Sequence, residues 1–436
     1  MIMEEAYEVK KLDQPVRWIV EVPGSKSITN RALLIAALTG GKVELNGVLF
    51  SDDSRYFLNA LKALGFRADI REEQKQVLLT GCGGDIPRSE GEVYVGSAGT
   101  AARFLTAMLG VAEGTYVIQA SPQMQKRPMR PLFEALLSLG AEIEWMGEEW
   151  HLPVRIIGAG VTRTARSETV LELDISESTQ FLSAFLLISP MFAGGLRIHI
   201  TSRKTDGSYI RITRKMMEDF GVKVLFDGTD YVTESGAVYE RAEYQIEPDV
   251  SAACYFYGAA AVTGGYAKVR HVHSDGMQGD LKFLDVLRKM GCEIREEADG
   301  IAVSGPEPGH LHGINVDMND FSDQALTLAA IAPYAGEPVE IRNIAHIRGQ
   351  ESDRIHAIVS NLTLAGIACE EYPDGVRIEP GQPGNCRIST FEDHRVAMAF
   401  SVMGLGAEGI VIENPGCCRK TFENYFDILD HLTGKR

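Results

Sequence analysis

Six segments of the chain repeat one design, each opening on a Ser, Asp or Thr cluster and running straight into an Ala/Leu/Phe-rich helical pattern. They start near Ser25, Ser97, Ser176, Asp249, Ser322 and Glu392, at intervals of 70 to 79 residues. Such a period marks a supersecondary unit that buries its apolar face only against its neighbours. After each first helix comes a short β-branched run, such as Val43 to Val48 or Leu196 to Ile200, and then a second amphipathic helix. Five of these second helices stop at Gly65, Gly140, Gly221, Gly291 and Gly366, where glycine reads as a left-handed C-cap. Alternating segments such as Ala141 to Trp145 follow with the period of half-buried strands, and one more strand leads into the next cluster. The pattern predicts an α/β (α+β) chain of six units, with helices inside and sheets covering them.

The sixth unit ends at its second helix, expected over Thr421 to Leu432, with no strands after it. A strand-like run without a unit of its own, Arg17 to Val22, lies at the other end and reads as the missing last strand. The termini are therefore expected to share a domain. One domain would be continuous, 23–245, and the other discontinuous, 1–22 plus 246–436, with three units in each and the active site in the cleft between them.

Charge narrows the function. The net charge of −17 disfavours nucleic acid and anionic membranes as partners. The most apolar stretch, Phe181 to Ala193, is too short to span a bilayer, and the acidic start, Met1 to Lys11, is not a secretory signal. Seven cysteines in no zinc or disulfide pattern suit a reducing cytoplasm, and no metal site is expected from the spacing of the histidines. Gly24-Ser25-Lys26-Ser27 lacks the earlier glycine of a phosphate-binding P-loop, because Ile19 stands there.

Within this acidic chain, cations gather at helix starts: Lys26 and Arg31, Arg103, Arg127, Arg348 and Arg354, Arg395, and Lys420. Helix N-termini carry free N–H groups and a positive dipole end, so basic side chains placed there suit a small polyanion. Asp353 and Asp393 read as helix caps with surface ion pairs. Asp323, ahead of the apolar stretch Ala325 to Ala332, and Glu351 are candidate acid/base partners.

The run Pro23-Gly24-Ser25-Lys26-Ser27-Ile28-Thr29-Asn30-Arg31, with Gly96-Ser97-Ala98-Gly99-Thr100-Ala101-Ala102-Arg103, resembles the enolpyruvyl transferases. The likeness continues in order through Lys126-Arg127-Pro128-Met129, Ser178-Thr179-Gln180, Tyr209-Ile210, Met277-Gln278-Gly279-Asp280, Asp323, Glu351-Ser352-Asp353-Arg354, Glu392-Asp393-His394-Arg395 and Lys420-Thr421-Phe422. The resemblance implies a two-domain inside-out α/β barrel of six βαβαββ repeats, active as a monomer without a cofactor. It further implies that phosphoenolpyruvate condenses with the 5-hydroxyl of shikimate 3-phosphate and phosphate leaves, a step of aromatic amino acid biosynthesis. Lys26, Arg127, Arg354, Arg395 and Lys420 would then hold phosphoenolpyruvate, with the Gly99 backbone against it, and Lys26 would reach both substrates. Ser27, Arg31, Ser178, Thr179, Gln180 and Tyr209 would surround shikimate 3-phosphate. Asp323 would accept the 5-hydroxyl proton and Glu351 would help protonate the methylene carbon.

The likeness departs on the shikimate side. His346 and Gln350 stand where the family has Asn and Lys, and Asp206 where it has Ser. A carboxylate ~4 Å from a phosphate would cost about 4 kcal/mol per charge pair at an effective dielectric near 20. Asp206 must therefore point away, be paired, or serve a different acceptor, and Arg203, Lys204 and Arg211 are near enough in sequence to pair with it. A paralogous transferase for another anionic alcohol, and a non-catalytic anion sensor of the same fold, stay open as alternatives.

Overall fold

The computed structural model describes residues 6–161 and 167–435. The chain divides into two compact units, one of residues 24–246 and one of residues 1–23 with 247–436.

The unit of residues 24–246 is built around three helices, Lys26–Leu38, Gly99–Val111 and Gln180–Ile188, which pack on one another. All thirteen residues of Gly99–Val111 are buried, which its run of Ala, Leu, Phe and Met allows and a surface helix would not. Three amphipathic helices, Asp52–Ala63, Arg130–Ser138 and Ser208–Asp219, accompany them, each burying one face. The unit of residues 1–23 and 247–436 repeats the plan with Val250–Thr263, Ala325–Ile331 and His394–Gly404 at its centre. Its outer helices are Lys282–Lys289, Arg354–Leu364 and Tyr425–Thr433.

Among the described residues six small sheets cover these helices, five of four strands and one of three. In each four-stranded sheet a leading strand pairs in parallel with the strand after the first helix, and an antiparallel hairpin completes it. Thus Glu90–Tyr94 runs parallel to Thr115–Gln119, in register from Glu90 opposite Thr115 to Tyr94 opposite Gln119. Val154–Ile157 and Glu142–Trp145 then follow in order. Strands such as Val154–Ile157 alternate buried and exposed residues, the period of a sheet with one wet face.

The glycine stops are a single device used six times. Gly65 donates to Lys62 O and the next N–H, of Phe66, donates to Leu61 O, both at 3.0 Å. The same pair of bonds recurs at Gly140, Gly221, Gly291, Gly366 and, beyond the five expected, Gly434, all with positive φ. This is the Schellman arrangement, in which only a residue without Cβ enters the left-handed turn freely.

The strands at the crossings differ from expectation. Arg17–Val20 does not complete the sixth unit; it pairs in parallel with Tyr266–Arg270 of the fourth. The sixth sheet is instead closed by Ala6–Glu8, antiparallel to Ile410–Glu413. Glu243–Gln245, which leads into the fourth unit's helix, pairs with Lys42–Asn46 of the first. The leading strands of the first and fourth units are therefore exchanged, because each compact unit needs three leading strands of its own. The last helix also begins later than Thr421, after a 3₁₀ turn over Pro415–Lys420, with Asn424 as its N-cap. No helix among the described residues is long and apolar enough to cross a membrane. All seven cysteines are free.

Candidate active site

In the unit of residues 1–23 and 247–436, one guanidinium organises the charged groups. Arg354 opens its helix, is 1% exposed, and meets three carboxylates. Its Nε lies 2.8 Å from Asp393 Oδ2, its Nη1 2.7 Å from Asp323 Oδ1, and its Nη2 3.1 Å from Glu351 Oε2. Gln350 Oε1 also accepts from Nη1. Burial alone would lower this guanidinium's pKa, but Asp393, Glu351 and Asp323 together raise it above the ordinary arginine value. Arg395 Nη2 lies 3.0 Å from the other oxygen of Asp323, and Lys420 Nζ lies 3.4 Å from Glu351 Oε1. Arg395, Asp323, Arg354, Glu351 and Lys420 are thus linked in one chain of contacts, with three cations on two acids.

Local chain geometry fixes these groups. Asp323 sits in the 3₁₀ turn Asn319–Gln324, kinked at Phe321 (φ −142°, ψ 41°). Phe391 and Glu392, just before Asp393, are two successive non-glycine residues in left-handed backbone (φ 51° and 57°). That geometry costs roughly 1–2 kcal/mol per residue and persists only where the surroundings impose it. Here Asp393 imposes it: its N–H donates to Thr390 O and its carboxylate accepts from Arg395 N, Ser352 Oγ and Arg354. The capping expected of Asp393 is present, but the surface ion pair is not, because the side chain is fully buried. Asp353 does combine a cap, from His356 N, with a part-exposed pair to Arg348.

Asp280 joins this group without having been singled out for a role. Its carboxylate accepts from Ser251 Oγ and from Gln324 Nε2, both at 3.1 Å, and Gln324 is the neighbour of Asp323. Burial and then the charge of Asp323 lift the Asp280 carboxyl to about 6, against the lowering influence of Arg395. His346 also bonds beside Asp323, with Nε2 2.8 Å from Ser322 Oγ.

In the unit of residues 24–246, Lys26 Nζ lies 3.5 Å from Asp53 Oδ2, a nearly buried carboxylate on the second helix. Arg31 is 1% exposed and spends its donors on the protein: Thr213 Oγ1, Ser27 O, Ser183 Oγ and Tyr209 O. It therefore ties Ser27 and Tyr209 to one point. Burial lowers its pKa to about 10, still charged at neutral pH. Arg103 Nη1 donates to Gln180 Oε1 at 2.5 Å, and Ser178 Oγ accepts from Gln180 N. Arg127 lies against Gly99, where a Cβ would stand 2.4 Å from its Nη1. Asp206 is turned onto Arg211, 2.9 Å away, which resolves the repulsion that an unpaired carboxylate there would exert.

The partners that sequence reasoning missed are Asp53, Asp280 and the buried state of Asp393. Asp53 carried one signal, its place in the Ser51-Asp52-Asp53 start of a helix, but nothing in that run points to Lys26.

Residues 11–429 match the family described as EPSP synthase (3-phosphoshikimate 1-carboxyvinyltransferase). The chain is 43% identical to a 3-phosphoshikimate 1-carboxyvinyltransferase of Trichormus variabilis, over 98% of this chain and 99% of that one. It is 39% identical to one of Vibrio campbellii over 96% and 98%, and 38% identical to a chloroplastic one of Petunia hybrida over 96% and 84%. The solved structure of an EPSP synthase from Acinetobacter baumannii superposes with a TM-score of 0.80 over 99% of this chain and 98% of that one, at 24% identity.

Proposed function

The chain belongs to the EPSP synthase family, and from that premise we propose that it transfers the enolpyruvyl group of phosphoenolpyruvate to the 5-hydroxyl of shikimate 3-phosphate, releasing phosphate. The observation that carries the reading is the cluster in which Asp323 and Glu351 are held by the buried cations Arg354, Arg395 and Lys420. A pair of carboxylates serves proton transfer, and fixed cations serve two substrates that repel each other.

In this reading Arg354, Arg395 and Lys420, with Lys26, Arg127 and the backbone at Gly99, receive the carboxylate and phosphate of phosphoenolpyruvate. Guanidinium forks suit these groups, and lysine supplies a mobile point charge that also reaches the acceptor. Ser27, Ser178, Thr179, Gln180 and Tyr209 surround the acceptor, with Arg31 fixing Ser27 and Tyr209 from behind. Arg127 Nε is buried and makes no hydrogen bond among the described residues, and Lys420 Nζ is held by its ion pair with Glu351 rather than by a hydrogen bond, which supports their turning to a ligand.

Both oxygens of Asp323 face arginines, so the same cations that receive phosphoenolpyruvate release the base. As Arg354 and Arg395 turn to the incoming anion, Asp323 is freed to accept the 5-hydroxyl proton while the oxygen attacks. Glu351 helps protonate the methylene carbon, and a tetrahedral intermediate forms. Reverse proton movements through the same pair then rebuild the enol ether as phosphate departs. Preorganised charge is usually the largest catalytic contribution, and holding both reactants in attack geometry supplies about 7–11 kcal/mol more.

Phosphate release from phosphoenolpyruvate with shikimate 3-phosphate tests the reading. Release with that pair is expected. Release only with a different alcohol would identify a paralogous transferase, and none with any acceptor would leave a binding protein.

A further inference from the structure

The motif Met277-Gln278-Gly279-Asp280 is assigned to neither substrate in the proposed reaction, yet its acid is built into the turn that carries Asp323. Asp280 lies in the 3₁₀ turn Gly279–Leu281 and is 7% exposed. Its Oδ2 accepts from Ser251 Oγ and its Oδ1 from Gln324 Nε2, both at 3.1 Å. Gln324 is fully buried, and its Oε1 accepts from Thr327 Oγ1 at 3.0 Å, which turns its amide nitrogen to Asp280. A second tie joins the same stretches, since Lys282 Nζ lies 2.7 Å from Asp320 Oδ2. Asp320 and Gln324 stand on either side of Asp323, so the turn of the proposed base is fastened at both. Gln278 anchors the other turn, accepting from Val250 N at 3.1 Å and donating to Pro248 O at 2.6 Å.

Hydrogen bonding alone does not call for an acid here. Asparagine could accept from Gln324 and donate to Ser251 in the same places. What aspartate adds is charge. The charged and titratable groups that face it are Asp249 and Cys254, Asp323, and Arg395. Asp249 caps its helix, accepting from Ser251 N and Ala252 N, and burial holds the Cys254 thiol neutral. Arg395 lies 3.0 Å from Asp323 and also acts on Asp280. The Asp280 carboxyl is lifted to about 6 by burial and then by Asp323, so it is largely ionised at neutral pH. Repulsion between two acids is mutual, and an ionised Asp280 makes Asp323 hold a proton more strongly.

We propose that Asp280 is a positioning residue for the proposed base: it fixes the turn of Asp323 through Gln324, and its negative charge strengthens Asp323 as a proton acceptor. The inference rests on the reading of Asp323 as that base. Two arginines on one carboxylate favour its ionised form and make it a weak base. A buried second acid beside the same turn offsets them, most of all once Arg354 and Arg395 have turned to phosphoenolpyruvate.

The test is the pH profile of kcat for wild type and Asp280→Asn, with phosphoenolpyruvate and shikimate 3-phosphate both saturating. Asparagine preserves the two hydrogen bonds and removes the charge. The low-pH limb of kcat should therefore move about one pH unit toward acid in the variant. The plateau kcat should fall roughly threefold to tenfold, as a weaker base requires, while the KM for shikimate 3-phosphate stays within about twofold. An unmoved limb, or a loss of the same size at every pH, overturns the proposal. Should the wild type release no phosphate, the proposed reaction falls, and carboxyl titration by ¹³C NMR of aspartate-labelled protein still judges Asp280. Its signal, recognised by its absence from Asp280→Asn, should titrate about one pH unit lower in Asp323→Asn than in wild type. An equal midpoint in the two proteins overturns the proposal.

Discussion

Arg354 Nη1 lies 2.7 Å from Asp323 Oδ1, joining the proposed base to a guanidinium that is itself 1% exposed. With Arg395 on the other oxygen, Asp323 neutralises cations proposed to receive phosphoenolpyruvate and, in that reading, depends on a ligand to draw them away. Replacing it by Asn keeps the shape and removes the charge. Asp323→Asn is expected to lower kcat by about 10²–10⁴-fold, the range for loss of a general base. The KM for phosphoenolpyruvate should stay level or fall, since the arginines no longer answer to a carboxylate. Steady-state kinetics with both substrates varied decides it; an unchanged kcat removes Asp323 from the mechanism.

The bond between Arg354 and Asp393 is structural as well as electrostatic. Asp393 is fully buried, so Arg354→Met would strand its charge. Breaking a buried pair from one side destabilises by about 3–5 kcal/mol, whereas removing both charges costs far less. Arg354→Met should therefore melt well below the wild type, and Arg354→Met combined with Asp393→Asn should melt above the single variant. Thermal denaturation of the three proteins gives the order.

Periodicity and glycine made the repeating units legible, because both are local: an apolar face every turn and a left-handed stop every unit. Gly65, Gly140, Gly221, Gly291 and Gly366 needed only their own helices to be read. Asp323, Glu351 and the cations were legible from motif likeness and from their places at helix starts. Asp393 was misread because its surroundings are set by Arg354, 39 residues earlier. Asp280 stands in the Met277-Gln278-Gly279-Asp280 motif, yet its link to Gln324 spans 44 residues. The exchange of Arg17–Val20 and Glu243–Gln245 between sheets was equally hidden, since either strand suits either sheet by its own pattern of side chains. Pairings of that range are decided by packing, which no window of sequence contains.

Asp280 gives the stability a pH dependence of known sign. Its carboxyl is raised to about 6 in the folded chain, chiefly by burial, against roughly 3.9 when unfolded. The folded state therefore holds this proton more tightly, and stability from this group is full below about pH 4 and lost as pH rises through about 6. Asp280→Asn has no such loss. The melting temperature of Asp280→Asn relative to wild type should rise between pH 4.5 and pH 7, by an amount equivalent to at most about 3 kcal/mol. A difference independent of pH would show that Asp280 is charged throughout that range.

Gly99 leaves no side chain between its backbone and Arg127, and in the proposed reading that keeps the phosphoenolpyruvate position open. Its Cβ would stand 2.4 Å from Arg127 Nη1 and 2.9 Å from Arg127 Cζ, closer than atoms approach without displacement. The obstacle is the far end of a flexible side chain, so the helix Gly99–Val111 can persist while the guanidinium moves. In Gly99→Ala the displaced Arg127 should raise the KM for phosphoenolpyruvate, with a smaller effect on shikimate 3-phosphate. Analogues that fill the phosphoenolpyruvate position, glyphosate among them, meet the same methyl and the same displaced cation, and their inhibition constants should rise. Inhibition measured on parent and variant under identical substrate concentrations provides the check. Equal inhibition would mean that the Gly99 turn and Arg127 do not face phosphoenolpyruvate, and the cation assignment in the unit of residues 24–246 would have to be redrawn.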